Sequence, residues 1–72
     1  MDSNVKVNLQ RLLEGQINYS SGNLAFNMLI NRLKRRVIED SGSMDACIKE
    51  IENFGVKYPK VAAADFSAIA SL

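Results

Sequence analysis

The sequence predicts an all-α domain, a compact bundle of about four short helices that associates with further copies of itself. Three features of the chain point there. Apolar residues recur at intervals of three and four along most of its length, the period of a helix with one buried face. The only alternating stretch, Val5 to Leu9, is too short to make a convincing strand. Glycine, serine, asparagine and the single proline gather at points that cut the chain into helix-length segments.

The first segment carries Val5, Leu9, Leu12 and Leu13, the i, i+4, i+7, i+8 pattern of an amphipathic helix. Ser3 or Asn4 is placed to cap its start. Gly15 follows as a C′ residue, so the helix is expected to end near Glu14. Ile17 does continue the series from Leu13, but carrying a helix through Gly15 costs about 1 kcal/mol.

Asn18 to Asn23 collects turn and cap formers, and a run from Leu24 to Asp40 then proceeds without proline or glycine. In this second helix Ala25, Phe26, Leu29, Ile30, Leu33 and Val37 form a wide apolar arc. Opposite lie Asn27 at the centre of the polar side, with Asn23, Asn31, Lys34 and Arg35 near it. Leu24, Met28 and Ile38 fall among the polar positions and predict a second contact surface, within the bundle or on a partner.

Ser41-Gly42-Ser43 makes a short connection, with Ser43 as N-cap and Asp45 in the first turn, where the helix dipole favours negative charge. Met44, Cys47, Ile48, Ile51 and Phe54 repeat at helical spacing, and Gly55 is read as the terminator. Pro59 suits the first position of a fourth helix, since its fixed φ fits and its missing N–H has no partner there. That helix is expected to reach Ser71. Its alanines allow close approach to a neighbour, Val61, Phe66, Ile69 and Leu72 supply bulk, and an apolar Leu72 at the end is read as docked. Short connections imply neighbours packed roughly antiparallel.

The 72 residues make one domain, residues 1–72, and a chain this short buries only about 60% of its unfolded surface. Small domains compensate with disulfides, metals or oligomerisation. One cysteine and no histidine argue against an internal disulfide and a structural zinc site. The segment from Glu39 to Asp45 is too short for a calcium loop and lacks its closing glutamate. Self-association or a protein partner is left, in keeping with a hydrophobic content of 47%. The net charge of +1 gives no global attraction for nucleic acid or anionic membrane. Neither a basic-then-apolar leader nor an apolar run near 20 residues is present, so a soluble cytoplasmic protein with a free thiol is expected.

General acid–base chemistry at neutral pH draws first on histidine, and nucleophilic catalysis on a side chain beside a base. The available carboxylate pairs, Glu39 with Asp40 and Glu50 with Glu52, diverge on a helix and read as a solvated face. Cys47 sits among apolar residues, with Lys49 on another side, and reads as core rather than a reactive thiol. No phosphate-cradling loop occurs. The Asn18-Tyr19-Ser20 sequon, without a secretory signal, reads as chance. No enzymatic activity, cofactor or metal is therefore expected.

The sharpest local feature is the group Arg32, Lys34, Arg35 and Arg36. Such a cluster can neutralise phosphates. It also suits a helix C-terminus, where Arg35 with Glu39 and Arg36 with Asp40 stand at i, i+4. As a recognition helix, the second helix would present Asn23, Asn27, Asn31 and Arg35 on one face, residue types that read adenine and guanine edges. Against this, the cations lie at the helix end, and the third helix is acidic.

The primary expectation is a non-enzymatic protein-interaction or assembly module, a regulator or structural subunit. It would form a homo-oligomer or bind a separate protein target, with Leu24, Met28, Ile38, Tyr58, Phe66 and Leu72 at the interface. The alternative is a small nucleic-acid-binding protein that uses Asn27, Asn31, Arg32, Lys34, Arg35 and Arg36.

Overall fold

In the computed structural model, which describes residues 1–72, the chain forms four α-helices: α1 (Ser3–Leu13), α2 (Leu24–Glu39), α3 (Met44–Lys57) and α4 (Pro59–Ala70), with a single 3-10 turn at Ser41–Ser43 and no strand. α1 packs against all three other helices, and α3 touches both α2 and α4. The radius of gyration is 11.0 Å, about what a compact domain of this length should have.

Each helix presents the apolar face that its spacing dictates. Val5, Leu9, Leu12 and Leu13 of α1 meet Phe26, Ile30, Leu33 and Val37 of α2, Cys47, Ile48 and Ile51 of α3 and Ile69 of α4 in one core. Phe26 is its aromatic centre, edge-on to Tyr19, Phe54 and Phe66 at centroid distances of 6.3, 5.7 and 6.5 Å. Those three rings come from the α1–α2 connection, α3 and α4, so one side chain joins three parts of the bundle; such pairs add about 0.5–1.5 kcal/mol each beyond area burial. Ala25, expected in the apolar arc of α2, is exposed instead, and Leu29 is half-buried at the arc's edge.

Several boundaries differ from those the sequence predicts. Asp2, rather than Ser3 or Asn4, caps α1, its carboxylate accepting from the Asn4 N–H at 2.8 Å. Gly15 does leave the helix in the left-handed region, with φ of 79°, as a C′ glycine does. Ser43 makes no side-chain cap for α3; its hydroxyl turns back to donate to the Asp40 carbonyl at 2.7 Å. Asp40 supplies the turn instead, accepting from the Gly42 N–H at 3.0 Å.

The largest correction is Gly55. It lies inside α3, which continues to Lys57, so it is no terminator. A Cβ there would stand 2.7 Å from Cε2 of Phe66. The glycine is needed because α4 lays a phenylalanine ring against the α3 backbone, a close approach that only a missing side chain allows. Pro59 occupies the start of α4 as expected. That helix ends at Ala70 rather than Ser71, and Leu72 is half exposed rather than docked. What anchors this end is Asn8 of α1, which donates to the Ile69 carbonyl at 2.8 Å.

Candidate interaction surface

α2 is amphipathic with an interruption. Its inner stripe, Phe26, Ile30, Leu33 and Val37, is buried. On the outer side Leu24, Met28 and Ile38 remain 72%, 63% and 81% exposed, as their positions off the apolar arc predict. Asn31 and Arg35 lie between them and are exposed as well. Burying a Leu, Ile or Met side chain is worth about 1.5–3 kcal/mol, so three such groups in water on one helix face are a reserve of unused association energy.

The entry to α2 is fixed by a polar clasp that keeps Leu24 outside. Asn23 accepts from the Phe26 N–H at 3.0 Å as N-cap, while its own N–H donates to the Ser21 hydroxyl at 2.9 Å. The Asn27 amide accepts from the Ser21 N–H and donates to the Ser21 carbonyl, both at 2.8 Å. The connection is thereby fastened along the polar side of α2. Farther back, the Tyr19 hydroxyl donates to the Asp65 carboxylate of α4 at 2.5 Å. Partial burial, the hydrogen bond and the negative charge of Asp65 push the Tyr19 pKa up to about 12, a shift that Ser21 only partly opposes.

The structure divides the residues expected to meet a partner. Leu24, Met28 and Ile38 stand outward together on α2, Tyr58 is exposed at the α3–α4 junction, and Leu72 lies at the chain end. Phe66 does not belong with them. Its ring is half-buried, packed on the core beside Phe26 and over Gly55, because the glycine opens room for it.

The residues expected to meet nucleic acid are divided too. Arg32 and Arg36 both reach Glu50 of α3, at 2.7 and 3.0 Å. Neither pair expected within the helix, Arg35 with Glu39 or Arg36 with Asp40, is formed; the across-bundle carboxylate takes Arg36 instead. Glu50 is accordingly a partner to two cations rather than part of a merely solvated face. Lys34 and Arg35 make no ion pair. Of the asparagine stripe, Asn23 caps the helix and Asn27 is committed to Ser21, leaving Asn31 with an uncommitted side chain.

A second feature went unseen in the sequence. An open cleft of about 410 Å³ lies between the start of α1 and the α3–α4 pair, lined by Met1, Asp2, Val5, Glu52, Gly55, Val56 and Phe66. Val56, 82% exposed, stands on its rim. In the sequence Val56 stands beyond Gly55, where the helix is expected to end, so its place on α3 is not evident there. Cys47 is fully buried, 3.7 Å from the Ser43 hydroxyl, and no three His, Cys, Asp or Glu side chains converge as metal ligands. No helix is long and apolar enough to cross a membrane. The chain matches no protein-family profile, no curated protein and no solved structure.

Proposed function

We propose that this chain is a non-enzymatic interaction module, a small helical subunit or regulator that assembles with protein through the outer face of α2. The observation that carries the reading is the exposed row of Leu24, Met28 and Ile38 on a helix whose opposite face already completes the core. A domain this short has little core stability to spare, and apolar groups left in water contribute nothing to the fold. They acquire a value when another protein covers them. A second copy and a separate target protein are both compatible occupants, and Tyr58 and Val61 are further exposed apolar side chains, at the α3–α4 junction.

The test is site-specific photocrosslinking in the cells that make the protein. A photoreactive amino acid in place of Met28 or Ile38 is expected to give a discrete protein adduct. The same group in place of Ala63, an exposed residue of α4, is expected to give none. Absence of adducts from both α2 positions, or equal labelling from Ala63, contradicts the proposal.

A further inference from the structure

Two open clefts lie between α2 and the α3–α4 junction, and Phe54 and Tyr58 line both. The first, about 300 Å³, adds Leu29 of α2 to those rings, with Glu50, Asn53 and Lys57 as its polar wall. The second, about 210 Å³, is completed by Asn23, Ala25 and Val61. Their shared wall is an aromatic pair with centroids 5.0 Å apart, and the Lys57 ammonium stands 5.4 Å from the centre of the Tyr58 ring. Cofactor and drug pockets run from about 300 to 1,000 Å³ and enclose their ligand. Open clefts at or below that range suit the side chains of a peptide instead, each taking one bulky apolar group.

Charge at the first cleft states what kind of peptide fits. Arg32 and Arg36 share the single carboxylate of Glu50, at 2.7 and 3.0 Å, and Lys57 has no anionic partner. Three cations therefore meet one anion, a net charge of +2 around this cleft. A guanidinium carries five N–H donors. Glu50 takes one contact from each, and the two arginine side chains remain 60% and 44% exposed, so a further carboxylate can form charge-assisted hydrogen bonds there. We infer that this groove receives a segment of another protein in which bulky apolar side chains stand beside Asp or Glu. The apolar groups enter the clefts against Phe54 and Tyr58, and the acidic groups meet Lys57 and the outward donors of Arg32 and Arg36. The groove is a second surface, separate from the outer face of α2, and does not depend on that face being covered.

The opposite flank of α3 has the reverse sign. Glu52 and Asp2 line the cleft beside Val5 and Val56, so like charge turns an acidic segment away there and directs it to the Tyr58 side. Asp65, one turn beyond Val61 on α4, is buried and accepts from the Tyr19 hydroxyl, so it presents no open carboxylate to the second cleft. Nucleic acid also combines anions with flat rings, but it repeats a phosphate at every nucleotide and is held by cations spread along its path. Here the cations gather at the first cleft and none lines the second, which matches a peptide of mixed apolar and acidic residues.

The test is an NMR titration of isotope-labelled protein with short synthetic peptides in which Phe and Leu are flanked by Glu, by Gln or by Lys. The Glu peptide should move the amide signals of Leu29, Asn53, Phe54 and Tyr58, bind about ten times more tightly than the Lys peptide, and weaken in added salt. Lys57→Glu should weaken it about tenfold, because reversal replaces an attraction with a repulsion of similar size. Lys49→Glu makes the same charge change at an exposed position on the other side of α3 and should leave the affinity as it was. Both lysines are exposed, and circular dichroism verifies the fold of each variant. No signal change with millimolar Glu peptide overturns the inference, as do equal affinities for the Glu and Lys peptides, changes centred on Val5 and Val56, or equal weakening by the two lysine variants. A single-stranded oligonucleotide that moves the same amides at lower concentration than the Glu peptide also overturns it and assigns the groove to nucleic acid. The α2 face is tested separately by the adducts from Met28 and Ile38, so either reading can fail without the other.

Discussion

Asn8 is a polar residue on the buried side of α1, 6% exposed, and its replacement tests how α4 is held. Its amide donates to the Ile69 carbonyl at 2.8 Å and reaches the Leu72 carbonyl at 3.5 Å. The Ile69 carbonyl also accepts from the Leu72 N–H at 3.2 Å, so Asn8→Ala leaves it one partner rather than none. The cost is then the net worth of a buried hydrogen bond, about 1 kcal/mol, rather than the full penalty of an orphaned carbonyl. Loss of the packed amide adds a similar amount, for about 2 kcal/mol in all. At roughly 4–8 °C per kcal/mol for a domain of this size, Tm should fall by about 8–16 °C in a melt followed by circular dichroism.

Asn8→Asp sharpens the test. A carboxylate would face carbonyl oxygens at the negative end of α4, where charge is disfavoured, so its folded pKa must rise above the unfolded value near 3.9. The sign follows from linkage. With the folded pKa raised, the penalty relative to wild type is absent below the unfolded pKa, grows as pH rises through the folded one, and is complete above it. An alanine variant within about 0.5 kcal/mol of wild type, or an aspartate variant whose deficit does not change with pH, would show that α1 does not anchor the end of α4.

Further outcomes follow from single contacts. Gly55→Ala should gain about 1 kcal/mol of helix propensity, yet its methyl would meet Phe66 Cε2 at 2.7 Å. Overpacking of that kind costs about 1–3 kcal/mol, so urea denaturation should show a net loss near 1 kcal/mol; a stabilised variant contradicts the close α3–α4 approach. Tyr19 should ionise near pH 12 in a titration read at the tyrosinate absorbance band, and Tyr19→Phe should remove that late step. Because the folded pKa is raised, the stability linked to the protonated phenol is complete below about pH 10 and is lost as pH climbs through 12; a Tyr19 that titrates at its ordinary value would contradict the Asp65 contact. Glu50→Gln breaks both ion pairs to α2, but these pairs are exposed, and the loss should stay below about 1 kcal/mol and shrink in added salt. A larger, salt-independent loss would mean that the α2–α3 contact depends on that carboxylate.

The helices themselves were legible because they are local. Val5, Leu9, Leu12 and Leu13, or Ile48 and Ile51, announce a buried face by spacing alone, and Leu24, Met28 and Ile38 announce exposure by falling off it. What escaped depends on partners distant in sequence. Asn8 meets Ile69 across 61 positions and Tyr19 meets Asp65 across 46, and nothing in either neighbourhood distinguishes these side chains from ordinary surface polar groups. Gly55 is ambiguous in sequence for the same reason. A glycine after an apolar repeat is a natural helix end, and only the presence of Phe66 on another helix reveals why one is needed inside α3. The cation cluster looked like a local unit because i, i+4 carboxylates lay at hand, whereas Glu50 on α3 took Arg32 and Arg36. Asn27, placed by the wheel at the centre of a polar stripe, is bound to Ser21 on the preceding connection.

The central claim is that the two stripes of α2 have separate tasks, the inner one building the core and the outer one meeting protein. The most direct measurement places a photoreactive amino acid at Asn31, the middle of the outer stripe, and compares adduct yield with and without Leu24→Gln, Met28→Gln and Ile38→Gln combined, while unfolding of both proteins is followed in urea. The account predicts that the adduct disappears while stability changes by no more than about 0.5 kcal/mol per substitution, as expected of exposed positions. An adduct that persists in the triple variant, or a triple variant that loses its fold, would contradict it.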